Sequence, residues 1–327
     1  MRFGSSRYSI RHAGASVNTS SRDYTIGVAA VLFSAIVWGT TGTAATFAPE
    51  VSAIAIGAAA MGIGGLLQAL LAGRGILRAL PDLSKHWRNL VLGGLAVAIY
   101  PLAFYASMRM AGVTIGTVVT IGSAPLLSAL IEYLFDGTRL SKQWLWGALI
   151  GLFGMILLCI AEGSMHSSTQ TGNSVLIGIC LGLLGGLTYA LYSWTARSLM
   201  LRRIRSSVAM GATFGIGGLL LMPVLFMTGA PFIASWSNAA VGLYMAIIPM
   251  FVGYLCFGIG LARISASMAT TITLIEPVVA ALLAVVIVGE RLAPMGWLGV
   301  ALIISCLVVI TLPRNGSPRQ NQERTAE

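Results

Sequence analysis

The sequence predicts an all-α membrane protein in which ten transmembrane helices form two inverted five-helix repeats. Three observations lead to this fold class: long apolar spans, an uneven distribution of basic residues and an internal repeat. Of the 327 residues, 57% are hydrophobic and only 9% are charged, which is far from the balance of a soluble domain. The lipid bilayer is therefore the predicted surrounding of the chain.

Apolar spans of about 20 residues recur along the chain, as a helix rising about 1.5 Å per residue needs in order to cross a bilayer. They lack the alternation expected of outer-membrane strands, so helices are the predicted form. The ten predicted spans, numbered 1 to 10 in chain order, are 25–47, 51–72, 89–108, 113–135, 143–161, 174–197, 207–228, 239–261, 266–288 and 293–312.

The basic residues favour one orientation. With the N-terminus in the cytoplasm, 18 of the 20 Lys and Arg residues fall on the cytoplasmic side, and only Arg109 and Arg291 fall outside. This asymmetry follows the positive-inside rule, so we expect both termini in the cytoplasm and a bacterial plasma (inner) membrane location. The net charge of +10 then reflects topology, and we expect no nucleic-acid partner.

A sequence repeat relates the two halves of the chain. The segment that begins at Ala124 matches the segment that begins at Glu276, 152 residues later, at seven positions that include Pro125 with Pro277. Five helices per copy is an odd number, so the second copy enters the membrane inverted. Inverted repeats around a site at mid-membrane depth are typical of secondary transporters.

The repeat divides the chain into five predicted parts. The two five-helix repeats occupy 25–161 and 174–312, joined by an extracytoplasmic linker at 162–173, and 1–24 and 313–327 are predicted as disordered cytoplasmic tails. The first 22 residues contain Arg and Ser but no acid, a composition shared with organelle transit peptides. A basic tail that fixes the orientation of span 1 explains the same residues.

Residues that could take part in catalysis or bind a metal are few. The three His residues lie in tails or loops, and the four Cys residues lie within spans without the spacing of a metal site. No arrangement of nucleophile, base and acid is present, so we expect no enzyme, cofactor or metal. The sequence also lacks a phosphate-binding G-x-x-x-x-G-K-[ST] loop, so a gradient or exchange is the expected driving force.

Two motifs carry a family resemblance: VWGTTGT in span 1 and EPVVAALLAVVIVGERL at the end of the second repeat. With ten spans in two halves, the chain resembles EamA-type members of the drug/metabolite transporter superfamily across nearly all of 25–312. The resemblance implies alternating-access transport of small organic solutes, most often export, without fixing the cargo. The first copy departs from the pattern at Thr138, where the family commonly has an acid such as Glu290 in the second copy.

Glu276 lies near the middle of span 9. A charge facing lipid at that depth costs about 2.5–3.5 kcal/mol on insertion scales, so Glu276 is expected to face protein, water or a partner. One hypothesis makes it a proton-binding site that couples transport to a gradient. The alternative is a protonated side chain that hydrogen-bonds the broken backbone, and the occurrence of this acid across the family favours a common role such as gating or packing.

Two prolines predict interrupted helices. Pro277 removes the usual donor to the carbonyl of Thr273, and Pro125 does the same to Ile121 in span 4. Matched prolines in inverted copies predict two broken helices that meet near the membrane midplane, which is the sequence pointer to a transporter binding site.

Other polar and aromatic residues inside spans complete the predicted cavity. Trp38 lies deeper than the usual interfacial belt, and Thr41 follows it. Each tyrosine has an alternative role as a packed ring whose hydroxyl is satisfied by a backbone carbonyl. The substrate-cavity candidates are Trp38, Thr41, Tyr100, Tyr105, Pro125, Tyr189, Tyr192, Tyr254, Thr273, Glu276 and Pro277.

The predicted function is secondary-active transport of small organic metabolites, in the export direction, with amino acids or related compounds as the favoured cargo. Drug efflux, sugar-nucleotide exchange and lipid-intermediate flipping are alternatives within the same fold. A membrane sensor is the rival class, and it would be expected to carry a soluble domain. The predicted partners are the lipid bilayer, a small-molecule cargo and, under the coupling hypothesis, protons; the oligomeric state is not predicted.

Overall fold

The computed structural model of the chain describes residues 21–139, 141–163, 172–289 and 291–312. These residues contain ten helices that are long and apolar enough to cross a membrane, which confirms the predicted count. The spans run Ser21–Ala45, Ala53–Lys85, Trp87–Ala111, Ile115–Asp136, Lys142–Ala161, Asn173–Leu201, Ser206–Thr228, Trp236–Leu261, Ala266–Ile287 and Pro294–Thr311.

The predicted limits lie within four residues of these, except at the end of span 2. Span 2 ends at Lys85 rather than at residue 72, because the helix continues past the apolar segment into a polar stretch that includes Arg74 and Arg78. Span 1 begins at Ser21, so residues 21–24, predicted as part of a disordered tail, are helical. Residues 1–20 and 313–327 of the predicted tails, and 164–171 of the predicted linker, lie outside the described residues.

Large apolar side chains cover the outside of the bundle. Leu70 is 79% exposed, Phe226 is 84% exposed and Ile233 is 90% exposed. Such a surface is unfavourable in water, but it suits hydrocarbon, where no polar group is needed on the outer face. The chain is therefore an integral, multi-pass membrane protein.

Helix packing follows the two-fold relation of inverted repeats. Spans 2 and 7, 4 and 9, and 5 and 10, which are equivalent in the two copies, pack directly on each other. Pairs of different spans come in matched sets: span 3 packs on span 6 as span 8 packs on span 1, and span 4 packs on span 6 as span 9 packs on span 1. Ten helices arranged as two inverted five-helix repeats are thus the observed fold.

Glycines allow the closest of these helix crossings. A Cβ atom added at Gly65 of span 2 would lie 2.3 Å from the carbonyl oxygen of Phe214 in span 7, and one added at Gly154 of span 5 would lie 2.8 Å from that of Gly299 in span 10. Small residues at such contacts let helix backbones approach in a membrane, where van der Waals packing drives association.

Spans 8 and 9 depart from regular α-helix. Span 8 is α-helical over Trp236–Met245 and Tyr254–Leu261, and the intervening segment Ala246–Gly253, which contains Pro249, is π-helical. Three side chains from spans 1 and 2 donate hydrogen bonds to carbonyls in this segment. Trp38 Nε1 donates to Pro249 at 2.9 Å, Ser34 Oγ to Gly253 at 2.8 Å and Gln68 Nε2 to Met250 at 3.2 Å.

Span 9 is interrupted where Pro277 predicts a break. Its helices Ala266–Ile272 and Ile275–Leu283 are separated by a turn, and Ala284–Val288 is π-helical. The Thr273 carbonyl, which loses its regular donor to the proline, accepts the N–H of Glu276 at 3.0 Å instead. The backbone itself therefore satisfies the break.

The predicted interruption at Pro125 is wrong. The helix of span 4 continues through this proline from Val113 to Asp136. Span 4 lies tightly on span 6: a Cβ added at Gly186 would be 2.8 Å from the carbonyl oxygen of Thr120. Proline is tolerated within a transmembrane helix where neighbouring helices and local adjustments satisfy the freed backbone groups, so the two irregular helices are spans 8 and 9, not spans 4 and 9.

We expect Gly65→Ala to destabilise the contact between spans 2 and 7. The added methyl group meets the Phe214 carbonyl, and overpacking costs about 1–3 kcal/mol, more than the roughly 1 kcal/mol that alanine gains in helix propensity. The thermal unfolding midpoint in detergent should fall by several degrees. Gly73→Ala in the same helix is the control, because nothing lies within 4 Å of its added Cβ. Equal midpoints for the two variants would contradict this packing.

We expect Trp38→Phe to destabilise the π-helical segment of span 8. The substitution keeps an aromatic ring but leaves the Pro249 carbonyl without its indole donor, and an unsatisfied buried acceptor costs about 1–3 kcal/mol. Thermal unfolding followed by intrinsic fluorescence measures the loss. Trp236→Phe is the matched control, since Trp236 is 87% exposed, and a midpoint for Trp38→Phe as high as that of this control would count against the role of the indole donor.

Candidate functional site

A cavity of about 50 Å³ lies between spans 1, 2, 3, 6, 8 and 9. We call the side of the bundle where span 1 begins and span 10 ends the terminal side, and the opposite side the far side. The lining runs from the middle of spans 6, 8 and 9 to Thr41 and Gly57, which lie near the far-side ends of spans 1 and 2. The cavity therefore occupies the middle and the far half of the bundle.

Aromatic rings form most of the cavity wall. The ring centroids of Trp38 and Tyr254 are 4.5 Å apart, and those of Tyr100 and Tyr189 are 5.5 Å apart. Hydrogen bonds to residues behind the wall orient two of the tyrosines. Tyr189 donates to Thr273 Oγ1 at 2.9 Å, and the hydroxyls of Tyr254 and Tyr192 are 2.8 Å apart.

Glu276 also lines the cavity, in the first turn of the helix Ile275–Leu283. Span 1 approaches its backbone closely, since a Cβ added at Gly39 would lie 2.8 Å from the Glu276 carbonyl oxygen. No described side chain or backbone N–H donates a hydrogen bond to the Glu276 carboxylate. The expectation that this carboxylate satisfies the broken backbone is therefore wrong: its own N–H does so and leaves the side chain to the cavity.

Glu276 is the only acidic residue of the described lining, and this lining contains no Lys, Arg or His. Within the described ranges, no group of three or more His, Cys, Asp or Glu residues is placed to hold a metal ion. The hydroxyls of Thr41 and the tyrosines supply the other polar groups. The cavity chemistry is thus one carboxylate within an aromatic, hydroxyl-bearing wall.

The structure brings most of the predicted site residues together. Seven of the eleven candidates line the cavity: Trp38, Thr41, Tyr100, Tyr105, Tyr189, Tyr254 and Glu276. Tyr192 and Thr273 lie behind the wall as hydrogen-bond partners of lining tyrosines, and Pro277 adjoins Glu276 in span 9. Pro125 lies within the continuous helix of span 4 and does not reach the lining.

Several residues were missed by sequence reasoning. Met61, Phe104 and Met250 line the cavity, and nothing distinguishes them in the sequence from other apolar residues of a span. Two others did leave a signal: Gln68 is polar within an apolar span, and Pro249 interrupts span 8.

Polar contacts close the terminal side beneath the cavity. Glu132, near the end of span 4, accepts hydrogen bonds from the backbone N–H groups of Ala266 at 2.7 Å and Ser267 at 3.3 Å, and so caps the N-terminus of span 9. The Glu132 carboxylate is thus directed to span 9.

Span 6 supplies the other contacts of this closure. Arg197 donates to the carbonyls of Leu261 and Ile264 in the turn between spans 8 and 9. The Trp194 indole donates to Asp136 Oδ2 at 2.8 Å. We call Glu132, Asp136, Trp194 and Arg197, with the span 9 backbone that they hold, the terminal gate.

The far side has a different set of contacts. Thr40 Oγ1 lies 2.6 Å from the Tyr244 hydroxyl, and Ser237 donates to the Phe47 carbonyl at 2.9 Å, so span 1 and the loop after it contact span 8. Span 4 packs on Ala266–Ile272, the terminal half of span 9, whereas Ile275–Leu283 packs mainly on span 1. Spans 6 and 9 touch on the terminal side, but their equivalents, spans 1 and 4, share no comparable contact. The two copies therefore adopt different conformations, and on the terminal side spans 4 and 6 both contact the start of span 9.

Comparisons with known proteins agree with this architecture. The sequence matches the EamA-like transporter family twice, over residues 25–160 and 176–312. It is 31% identical to the uncharacterized transporter YwfM of Bacillus subtilis over 91% of this chain and 95% of that protein. It is 26% identical to a probable terminal-alkyne amino-acid exporter of Streptantibioticus cattleyicolor over 88% of this chain and 97% of the other.

The fold also occurs among solved structures. A crystal structure with 21% sequence identity superposes with a TM-score of 0.70, covering 94% of this chain and all of the other. That structural similarity supports the fold alone. The family model matches the sequence of both five-helix halves. The chain belongs to the EamA-like transporter family.

Proposed function

We propose that the protein is a secondary-active exporter of small organic metabolites that works by alternating access. The observation that carries this proposal is the cavity at mid-membrane depth, closed on the terminal side by the terminal gate and extending toward the far side. A channel would need a path through both sides at once. One closed side and one cavity suit a carrier instead.

The inverted repeats supply the second state of the carrier. In the observed state, spans 6 and 9 of the second copy are in contact, and the equivalent spans 1 and 4 of the first copy share no comparable contact in the described structure. If the copies exchange conformations, spans 1 and 4 close the far side as the terminal gate opens. The cavity residues then face the other compartment without moving far from the midplane.

Glu276 is the proposed coupling group. Its carboxylate faces the cavity, and the other ionisable groups on that lining are the hydroxyls of Tyr100, Tyr105, Tyr189 and Tyr254. A carboxyl group that gains a proton on one side and loses it on the other links cargo movement to a proton gradient.

Amino acids or related compounds are the proposed cargo. The related protein of Streptantibioticus cattleyicolor carries the description of a probable terminal-alkyne amino-acid exporter. The described lining has no basic residue, which weighs against doubly anionic cargo such as sugar nucleotides. We further propose a bacterial inner membrane location with both termini in the cytoplasm, which makes the terminal side cytoplasmic.

Transport in proteoliposomes tests the function and the coupling together. We expect the purified chain to move labelled metabolites from a panel of amino acids and related compounds, faster with a pH gradient than without. Glu276→Gln should reduce the gradient-driven flux at least tenfold. Glu50→Gln is the control, because Glu50 is exposed and outside the cavity. Full gradient-driven flux in Glu276→Gln would eliminate the coupling role, and no flux of any compound would contradict the transporter proposal.

Thiol labelling tests the terminal gate. We expect Glu132→Ala to loosen it, because two buried N–H groups at the start of span 9 lose their acceptor. In a background without the four native cysteines, Ser128→Cys is the reporter, since Ser128 is fully buried and contacts Thr270 of span 9. Labelling by an impermeant maleimide from the terminal side should accelerate at least tenfold.

The control for the gate is Asp82→Ala, which removes an exposed acid on the same side. This variant should leave the labelling rate unchanged. Equal labelling rates in the Glu132→Ala and Asp82→Ala variants would contradict the assignment of Glu132 to the gate.

A further inference from the structure

We propose that the cavity recognises the ammonium group of its cargo at Glu276 and that a carboxylate on the cargo is not required. The ligand class is then organic ammonium ions without an anionic group, such as primary amines. This inference rests on the proposed transport function, and it narrows the cargo from amino acids and related compounds to those that carry a net positive charge.

The charge of the cavity comes from Glu276. Glu276 is the only carboxylate of the described lining, no basic residue accompanies it there, and no described donor reaches its oxygens. Its place in the first turn of Ile275–Leu283 contributes roughly half a positive charge from the helix dipole, which leaves the ionised site negative. A carboxylate in a site of low polarity favours a cationic partner, and the cargo can supply it.

Aromatic rings surround this carboxylate. Six of the thirteen lining residues are aromatic: Trp38, Tyr100, Phe104, Tyr105, Tyr189 and Tyr254. The negative faces of such rings attract ammonium ions at short range, and several rings around one acid form the kind of cage that binds organic cations. Metal cations suit oxygen-rich sites with several ligands, which this lining does not offer.

A cargo carboxylate would need hydrogen-bond donors on the cavity wall. The Trp38 indole is bound to the Pro249 carbonyl, and the Thr41 hydroxyl to the carbonyl of Trp38. The Tyr189 and Tyr254 hydroxyls are engaged with Thr273 and Tyr192. Of the lining hydroxyls, those of Tyr100 and Tyr105 have no described hydrogen bond. An anionic group would thus find these two donors at most and would meet Glu276 as a like charge. The expected order of affinity is amine, then zwitterion, then anion.

Binding by the purified full chain in lipid nanodiscs tests this order. Two series of probes share a carbon skeleton and differ in charge: phenethylamine, phenylalanine and 3-phenylpropionate, and the smaller butylamine, norvaline and pentanoate. By titration calorimetry, we expect the more tightly bound of the two amines to bind at least tenfold more tightly than the amino acid of the same series. The two carboxylic acids should not bind. Glu276→Gln should weaken amine binding at least tenfold, and Glu50→Gln should leave it unchanged.

The order of affinity among the probes is measured on the native chain. It therefore tests the inference even if the Glu276→Gln variant does not fold. Amino acids or acids that bind as tightly as the amines overturn the inference, as do two amines without measurable binding or an amine affinity that Glu276→Gln leaves intact. Counterflow of the same labelled probes separates the two proposals. Amine-selective binding without counterflow contradicts only transport, whereas counterflow without amine preference contradicts only the ammonium site.

Discussion

The need to satisfy backbone polar groups inside a hydrocarbon layer shapes the centre of this protein. Spans 8 and 9 depart from regular α-helix at mid-depth, and lipid offers no hydrogen bonds to their carbonyls. Neighbouring helices supply them to span 8, where Ser34, Trp38 and Gln68 reach the carbonyls. Span 9 satisfies its own break through the N–H of Glu276. Spans 1, 2 and 8 are therefore held around one point, and the cavity lies there.

This arrangement also explains how an acid is kept at the centre of a membrane protein. The backbone break in span 9 is satisfied without the Glu276 side chain, so the carboxylate is free to act on the cavity contents. Glu132, which is buried, has a different role. It accepts hydrogen bonds from two backbone N–H groups at the start of span 9. One acid fixes the position of span 9, and the other faces the path of the cargo.

Much of the fold was predictable because apolar spans, charge asymmetry and repeats are properties of the whole chain. The ten spans are confirmed, with span 2 longer than its apolar segment. Individual contacts were less predictable. Pro125 and Pro277 look equivalent in sequence, yet only the second breaks its helix, because the way in which the surrounding helices accommodate a freed carbonyl is a tertiary feature. Sequence reasoning placed Glu276 in a protected site, but it could not show which donors would satisfy the backbone around it.

The central claim is that the two sides of the cavity open in opposition, and pulsed electron spin resonance distances test it most directly. One spin-label pair at Phe135 and Ala262 reports the terminal side, and another at Val113 and Ile287 reports the far side; all four positions are exposed. When a transported cargo or a pH gradient shifts the populations, the terminal distance should lengthen as the far distance shortens. Distances that change in the same direction, or remain fixed while transport proceeds, would contradict alternating access.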